Sequence, residues 1–214
     1  MEGRAASKER KTKETDIVIG LNIDGSGEYE IETGIGFLDH MLELFSFWGH
    51  FDLKIKVNRG DFKIDIHHTN EDVGILLGQT FKEALGDKKG IKRLGSASVP
   101  MEDVTASVSV DISGRGSYKL NLRPTAYTQL KSSEKSYVFN TKSEEGYELK
   151  YAEHFFDAFA KQLGMNLNIT IDNPSEDLHA TLEPAFKALG KALDEATQID
   201  PRRKGIPSTK GVID

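Results

Sequence analysis

The hydrophobic pattern of the chain switches repeatedly between the two-residue period of strands and the 3.6-residue period of helices. In the first half it predicts strands at 16–23 and 51–57, a turn with a return strand at 24–33, and helices at 34–50 and 73–87. In the second half it predicts strands at 106–114, 117–122 and 165–172, and helices at 147–164 and 177–196. The order strand, strand, helix, strand, helix therefore occurs twice.

This repeated order predicts the fold class. We expect an α+β fold made by internal duplication, with two similar split-βαβ-like halves, each a mainly four-stranded sheet with helices on one face. The predicted boundaries are a flexible tail at 1–9, a first half at 10–95, a second half at 96–200 and a C-terminal tail at 201–214. We expect the C-terminal tail, rich in Pro, Gly and charge, to fold back, and the polar segment 125–146 to form a long loop or hairpin.

Composition narrows the function classes. The chain has 28 Lys and Arg against 34 Asp and Glu, a net charge of −6, which argues against nucleic acid or an anionic membrane as the main partner. It has no Cys, which excludes disulfides and Cys-ligated metal sites. No apolar run reaches the ~18–20 residues that span a bilayer, and the polar N-terminus lacks the apolar core of a secretory signal. We therefore expect a cytoplasmic protein; an organelle form whose transit peptide had been removed would have the same sequence.

The main candidate for chemistry is the segment His67-His68-x-x-Glu71. Residues four apart share a helix face, so His67 and Glu71 can bind one metal ion, whereas His68 points about 100° away and can serve a second ion. Without Cys, the ligands would be His and carboxylate, which suit Mn, Fe, Zn or Co. The alternative is that these are surface or helix-capping histidines.

A second copy of the motif favours the metal interpretation. His179 and Glu183 are also four apart. A further histidine precedes each motif at a similar distance along the chain: His40 precedes His67, and His154 precedes His179. Two such groups of residues indicate a duplicated set of ligands that binds two metal ions.

The second copy differs from the first in two places. Ala180 stands where the first copy has His68. Pro184 follows Glu183 directly and leaves two possibilities open: inside a helix it deletes a backbone hydrogen bond, whereas at a helix start it is well placed.

Basic side chains near glycines form another candidate site. Arg forks and Ser or Thr hydroxyls beside flexible backbone suit a phosphate group, with solvated surface charge as the alternative. The residues concerned are Arg93, Arg115, Arg202, Arg203, Ser208, Thr209 and Lys210. Glu14, just ahead of the strand at 16–23, is a candidate general base, with an exposed carboxylate in a frayed segment as the alternative.

Taken together, the motifs resemble those of the imidazoleglycerol-phosphate dehydratase family of histidine biosynthesis. The matching segments run from Arg10 to Val212 and are TKET, GIGFLDHML, DIHHTNED, GIKRLG, DISGR, AEHFF, the His-x3-Glu motif before AFKAL, and DPRRKGIPSTKGV. The combination of FLDHML, HHTNED and PSTKG is highly specific. The resemblance implies a duplicated fold, a cubic homo-oligomer of 24 subunits with active sites shared between neighbours, and two Mn²⁺ ions per active site.

The resemblance also implies a role for each matching residue. One metal ion would be bound by His40, His68, His179 and Glu183. The other would be bound by His67, Glu71 and His154, with Ala180 in place of a fourth ligand, so we expect this second ion to be held more weakly. The catalytic residues would be Glu14, Glu71 and His68. The phosphate of the substrate would be bound by Arg93, Arg115, Ser208, Thr209 and Lys210, which makes 201–214 a substrate-binding tail.

The implied activity is a hydro-lyase reaction, the metal-dependent dehydration of imidazole glycerol phosphate to imidazole acetol phosphate. Metal would act as Lewis acid and template, and a carboxylate would move the proton. The expected partners are the small phosphorylated imidazole and further copies of the chain, with no nucleic acid and no membrane. The alternative is a divergent paralogue that binds metal and a phosphorylated ligand without efficient turnover. A generic binuclear hydrolase is a weaker third possibility, because nothing else in the sequence supplies a water-activating cluster.

Overall fold

Within the residues that the structure describes, two four-stranded sheets and four long helices form the fold. The computed structural model describes residues 3–124, 144 and 146–213. The first half consists of β1 (Ala5–Lys11), β2 (Asp16–Asn22), β3 (Tyr29–Glu32), α1 (Gly36–Gly49), β4 (Asp52–Arg59) and α2 (Ile66–Leu85). The second half consists of β5 (Leu94–Met101), β6 (Val104–Asp111), β7 (Ser117–Arg123), α3 (Leu149–Leu163), β8 (Asn166–Asp172) and α4 (Leu178–Thr197).

The two sheets have the same topology. Their strand orders are β1-β2-β4-β3 and β5-β6-β8-β7. In each sheet the first three strands pair antiparallel and the last pairs parallel to its neighbour. The predicted α+β fold with internal duplication is therefore confirmed. The return strand expected at 24–33 is formed by β3, but β3 pairs with β4 and not with β2, because β4 lies between them.

Each half contains a strand that the hydrophobic pattern did not predict. A flexible tail is predicted at 1–9, but residues 5–9 belong to β1, whose backbone pairs with β2. The prediction of a flexible tail is therefore wrong for these residues. β5 likewise precedes the first strand predicted for the second half. Both strands lie at a sheet edge, and exposed and half-buried side chains alternate along β1. An edge strand needs little apolar surface and often carries charge.

The helices cover one face of each sheet and join the two halves. α2 packs on β1 and β2, and α4 packs on β5 and β6, while α1 contacts α4 and α2 contacts α3. Phe45 of α1, Phe81 of α2 and Phe159 of α3 meet at ring-centroid distances of 5.6–6.1 Å. The core therefore lies between the sheets and belongs to both halves.

A glycine at the same place in each half brings the helices together. A Cβ on Gly78 would lie 2.7 Å from the carbonyl oxygen of Phe159, and one on Gly190 would lie 2.4 Å from that of Phe45. Real Cβ atoms do not approach backbone so closely. Both glycines occupy the same position in their helix when α2 and α4 are aligned on the His-x3-Glu motifs. The close packing is therefore part of the duplicated pattern.

The C-terminal tail folds back on the protein, as the sequence predicts. Gly90 donates its backbone N–H to the Gly205 carbonyl at 3.0 Å, and Asp200 donates to the Gly90 carbonyl at 2.8 Å. The loop or hairpin predicted at 125–146 lies outside the described residues, apart from 144 and 146. In the part of the chain that the structure describes, no helix is long and apolar enough to cross a membrane.

Candidate metal centre

The two His-x3-Glu motifs occupy equivalent first turns of α2 and α4. The side chain of Asp65 caps α2 by accepting from the N–H of His67 at 3.0 Å, and Asp177 caps α4 by accepting from His179 at 2.9 Å. Asp is a preferred N-cap because it binds backbone N–H groups that lack helical partners. In both helices the histidine is the second residue after the cap. Each cap thus fixes where its histidine and glutamate emerge from the helix.

The first cluster combines α1 with α4. His179 Nε2 lies 2.6 Å from Glu183 Oε2, and His40 Nε2 lies 3.5 Å from the same oxygen. One ligand atom from each of the three residues lies within 4.8 Å of the others. Two imidazoles and a carboxylate that converge in this way fit a transition-metal ion such as Mn²⁺, Fe²⁺ or Zn²⁺.

The electrostatics of Glu183 favour its ionised form. Burial works against ionisation, but hydrogen bonds from Lys187 and His179 outweigh it and lower the pKa of this carboxyl below its usual value. Lys187 holds Oε1, which leaves Oε2 facing the histidines. The carboxylate is therefore charged at neutral pH, as a metal ligand must be.

The second cluster combines α2 with α3. His67 Nε2 lies 3.1 Å from Glu71 Oε2, and the ring of His154 lies 4.2 Å from that of His67, centroid to centroid. His154 Nδ1 is buried, and within the described residues it has no hydrogen-bond partner. Buried polar atoms are nearly always satisfied. An orphaned imidazole nitrogen on the ring packed against His67 fits a metal ligand whose ion would complete it.

His68 belongs to neither cluster, although its ring centroid lies 5.7 Å from that of His67. Its Nδ1 is 2.7 Å from Asp61 Oδ2, and Glu14 contributes a ligand atom to the same group, within 4.8 Å. The hydrogen bond with Asp61 raises the pKa of His68. His68 and His67 therefore have different hydrogen-bond partners, as expected for neighbours on a helix. Within one chain, His68 does not join the group formed by His40, His179 and Glu183.

The second motif lacks the counterpart of His68. Ala180 occupies that position and is buried. Pro184 lies inside α4, which settles the two possibilities left by the sequence in favour of a helix that has already begun. It has no N–H to donate to the carbonyl of Ala180, four residues earlier.

The basic residues expected to bind phosphate fall into two groups. Arg93 is engaged within the chain: its guanidinium donates to both carboxylate oxygens of Asp111, at 2.6 and 3.0 Å, and to the carbonyl of Pro207 at 2.9 Å. It therefore ties the tail to the second half next to Ser208. Arg202 is also engaged, with Asp200, and its hydrogen bonds lower the pKa of Asp200 to about 2.

The other basic candidates sit on exposed loops. Arg115 is exposed, and its backbone N–H donates to the Ser113 hydroxyl at 3.4 Å. Ser208 Oγ accepts from the N–H of Lys210 at 3.2 Å, which closes a tight turn that includes Thr209. Thr209, Lys210 and Arg203 are exposed. Their side chains are thus accessible to a ligand.

The structure adds two residues that sequence reasoning missed. Asp61 binds His68, and Lys187 binds Glu183. Lys187 has a sequence signal, since Glu183 lies four residues before it on a helix. Asp61 has none, because it lies in the connection between β4 and α2, where spacing does not reveal which side chains meet.

Known proteins resemble this chain over most of its length. A family model described as imidazoleglycerol-phosphate dehydratase matches residues 33–193. The imidazoleglycerol-phosphate dehydratase of Thermoanaerobacter pseudethanolicus is 48% identical over 210 residues, which cover 98% of this chain and 100% of the relative. That of Geobacter metallireducens is 46% identical over 210 residues, covering 98% and 99%.

Solved structures resemble the fold as well. The crystal structure of the Staphylococcus aureus imidazoleglycerol-phosphate dehydratase superposes with a TM-score of 0.75 at 30% identity, covering 92% of this chain and 99% of the other. That of the Pyrococcus furiosus protein, in complex with (S)-C348, gives a TM-score of 0.74 at 33% identity, covering 96% and 99%.

Proposed function

Because the chain belongs to the imidazoleglycerol-phosphate dehydratase family, we propose that it dehydrates imidazole glycerol phosphate to imidazole acetol phosphate in histidine biosynthesis. It is a carbon–oxygen lyase. The observation that carries the proposal is the convergence of His40, His179 and Glu183, whose ligand atoms lie within 4.8 Å of one another. The alternative, a paralogue without turnover, is not favoured, since relatives with 46–48% identity over 98% of the chain are named for the reaction.

We propose that Mn²⁺ is the cofactor and that two ions serve each active site. His40, His179 and Glu183 would hold one ion together with His68 of a neighbouring subunit. His67, Glu71 and His154 would hold the other, to which Ala180 of the neighbour offers no ligand. When bound, the ions supply Lewis acidity and a template for the imidazole of the substrate. Three protein ligands bind less tightly than four, so we expect the second ion to be the weaker one.

The remaining residues would bind the substrate and move its protons. The C–H bond that must break has no carbonyl beside it and is a poor acid, so a positioned carboxylate is needed. Glu14 would have this role, because a ligand atom of its carboxylate lies within 4.8 Å of one of His68. Arg93, Arg115, Ser208, Thr209 and Lys210 would bind the phosphate, and Arg93 also holds the tail that carries three of them. Phosphate binding would orient the substrate from a distance.

A homo-oligomer follows from the same proposal. His68 is the natural fourth ligand of the first ion, yet in one chain it lies with Asp61 and Glu14. A second copy of the chain would supply it, which supports active sites shared between subunits. The family resemblance predicts 24 subunits, and the polar N-terminus without an apolar signal predicts a cytoplasmic location; both stay predictions.

The test combines turnover with metal counting. Purified protein is titrated with Mn²⁺, incubated with imidazole glycerol phosphate and assayed for imidazole acetol phosphate, while bound metal per subunit is measured by elemental analysis. We expect product formation that depends on Mn²⁺ and a second ion that is lost first on dialysis. No product at any Mn²⁺ concentration would contradict the proposed function. Two ions bound with equal affinity would contradict the expectation that the second site is the weaker one.

A further inference from the structure

Asp61 is held in place by the backbone around it. Its N–H donates to the hydroxyl of Thr69 at 2.9 Å, and its carbonyl accepts from the N–H groups of Ile64 and Asp65 at 3.1 and 3.2 Å. Thr69 is fully buried in the first turn of α2. The side chain of Asp61 is only 19% exposed. Its carboxylate is therefore fixed relative to the helix that carries His68.

This carboxylate determines how His68 carries its proton. An ionised carboxylate only accepts hydrogen bonds, so the 2.7 Å contact with Asp61 Oδ2 places a proton on His68 Nδ1. In a neutral imidazole the lone pair then lies on Nε2. Metal-binding histidines commonly have such a partner on their other nitrogen, which fixes both the tautomer and the ring orientation.

The second half provides an internal control for this interpretation. When the halves are aligned on the two His-x3-Glu motifs, Asn173 replaces Asp61 and Ala180 replaces His68. The connection is nevertheless anchored to the helix, since the N–H of Ser175 donates to Thr181 Oγ1 at 3.0 Å. The side chain of Asn173 turns elsewhere and donates to the carbonyl of Asp103 at 3.1 Å.

The carboxylate is thus absent from the half in which the histidine is absent. There the backbone N–H of Asn173 donates to the carbonyl of Arg123. The loss of the carboxylate together with the histidine indicates that it serves the histidine.

We propose that Asp61 is a positioning residue that fixes the ring of His68 so that Nε2 is presented to the metal ion bound by His40, His179 and Glu183 of a neighbouring subunit. The inference rests on the proposed function. It adds a residue to the site that acts only through another side chain.

The experiment replaces the carboxylate by its isosteric amide. In Asp61→Asn the amide N–H₂ can donate to Nδ1, which permits the tautomer with the proton on Nε2 and blocks that atom for metal. Mn²⁺ dissociation constants are measured by calorimetric titration of the assembled protein. We expect the affinity of one site to fall about 10–100-fold, with an unchanged unfolding midpoint of the metal-free protein.

Two controls separate positioning from structure. Asn173→Asp makes the reverse exchange where no histidine is present, and it should leave both affinities unchanged. In a His68→Ala background, Asp61→Asn should cause no further loss of affinity, whereas a structural role would still lower it.

The outcomes also distinguish this inference from the proposed function. A wild type that binds no Mn²⁺ and forms no product contradicts both. If the wild type binds Mn²⁺ and forms product, an unchanged Mn²⁺ affinity in Asp61→Asn contradicts the inference alone. The same holds if Asp61→Asn lowers the Mn²⁺ affinity equally in the wild type and in the His68→Ala background.

Discussion

The N-terminal and C-terminal halves share a scaffold but differ in the chemistry it carries. In both halves the helix that carries His-x3-Glu, α2 or α4, begins with an Asp cap. Both halves also have a glycine where two helices touch. The first half adds His68 and Asp61, while the second has Ala180 and Asn173 at those positions.

The difference shows that the scaffold does not depend on the ligands. Caps, close-packed glycines and apolar helix faces specify where side chains emerge. Which of those side chains can bind metal is a separate property, and it can be lost from one half without loss of the fold. The comparison predicts which substitutions affect one property and leave the other intact.

The largest effect is expected for His68→Ala, which makes the first half resemble the second. We expect the affinity of the tighter Mn²⁺ site to fall by more than about 100-fold, because loss of a ligand exceeds the roughly 10–100-fold effect of an outer partner. Metal content per subunit and turnover measure it. His50→Asn is the matched control. His50 lies outside both motifs and caps the C-terminus of α1 in the left-handed backbone conformation, which Asn tolerates. Unchanged metal content in His68→Ala would refute the assignment of ligands.

Pro184→Ala tests a difference that concerns stability alone. The first half has Asp72 at this position, bound by Arg10 and Thr15, whereas the second half has Pro184 inside α4. Proline inside a helix costs about 3 kcal/mol, so we expect the free energy of unfolding to rise by about 1–3 kcal/mol. Urea unfolding of the metal-free protein, followed by circular dichroism, measures it. Pro207→Ala, outside any helix, should bring no gain. A less stable Pro184→Ala protein would show that packing of the ring outweighs the missing hydrogen bond.

Tyr147→Phe tests a polar link that joins Asn70 of the first half to the second half. Tyr147 donates to Asn70 Oδ1 at 2.7 Å, and Asn70 donates to the carbonyl of Tyr151 at 2.7 Å, all in buried surroundings. The equivalent of Asn70 in the second half is the buried Leu182. Removing the hydroxyl leaves a buried acceptor unsatisfied, which costs about 1–3 kcal/mol. Thermal unfolding should detect this loss, while Mn²⁺ affinity stays the same. A parallel loss of metal would mean that the link also shapes the site.

Ala180→His should make the second half resemble the first. A fourth ligand for the weaker ion is expected to raise its affinity roughly tenfold, about 1.4 kcal/mol. Dissociation constants from a chelator competition measure the gain. Ala180→Phe, a ring without a ligand nitrogen, is the control and should bring none. Equal gains for both variants would attribute the change to packing.

Much of the fold could be predicted from the sequence because burial leaves a periodic trace. This trace predicts the buried strands and the four long helices of the described residues. β1 and β5 were missed, since edge strands such as AASKERK bury little and need no apolar period. The pairing of β3 with β4 was also out of reach, because strand order depends on contacts that are remote along the chain.

The candidate site could be predicted in part. Spacing along a helix joins His67 to Glu71 and His179 to Glu183. It cannot join His154 to His67, or Asp61 to His68, because those contacts arise where a loop or another helix arrives. The ion pair between Arg93 and Asp111 arises in the same way. The sequence shows that Arg93 is a cation, but only the fold brings the carboxylate of Asp111 to it.

The bridge from Arg93 to Asp111 and Pro207 has a consequence for the entropy of ligand binding. A C-terminal segment that hung free would have to lose backbone freedom when it closed on a phosphate, at roughly 1–2 kcal/mol for each ordered residue. Here the guanidinium fastens the chain directly before Ser208. That freedom is lost during folding, so a ligand that meets the tail finds it already ordered.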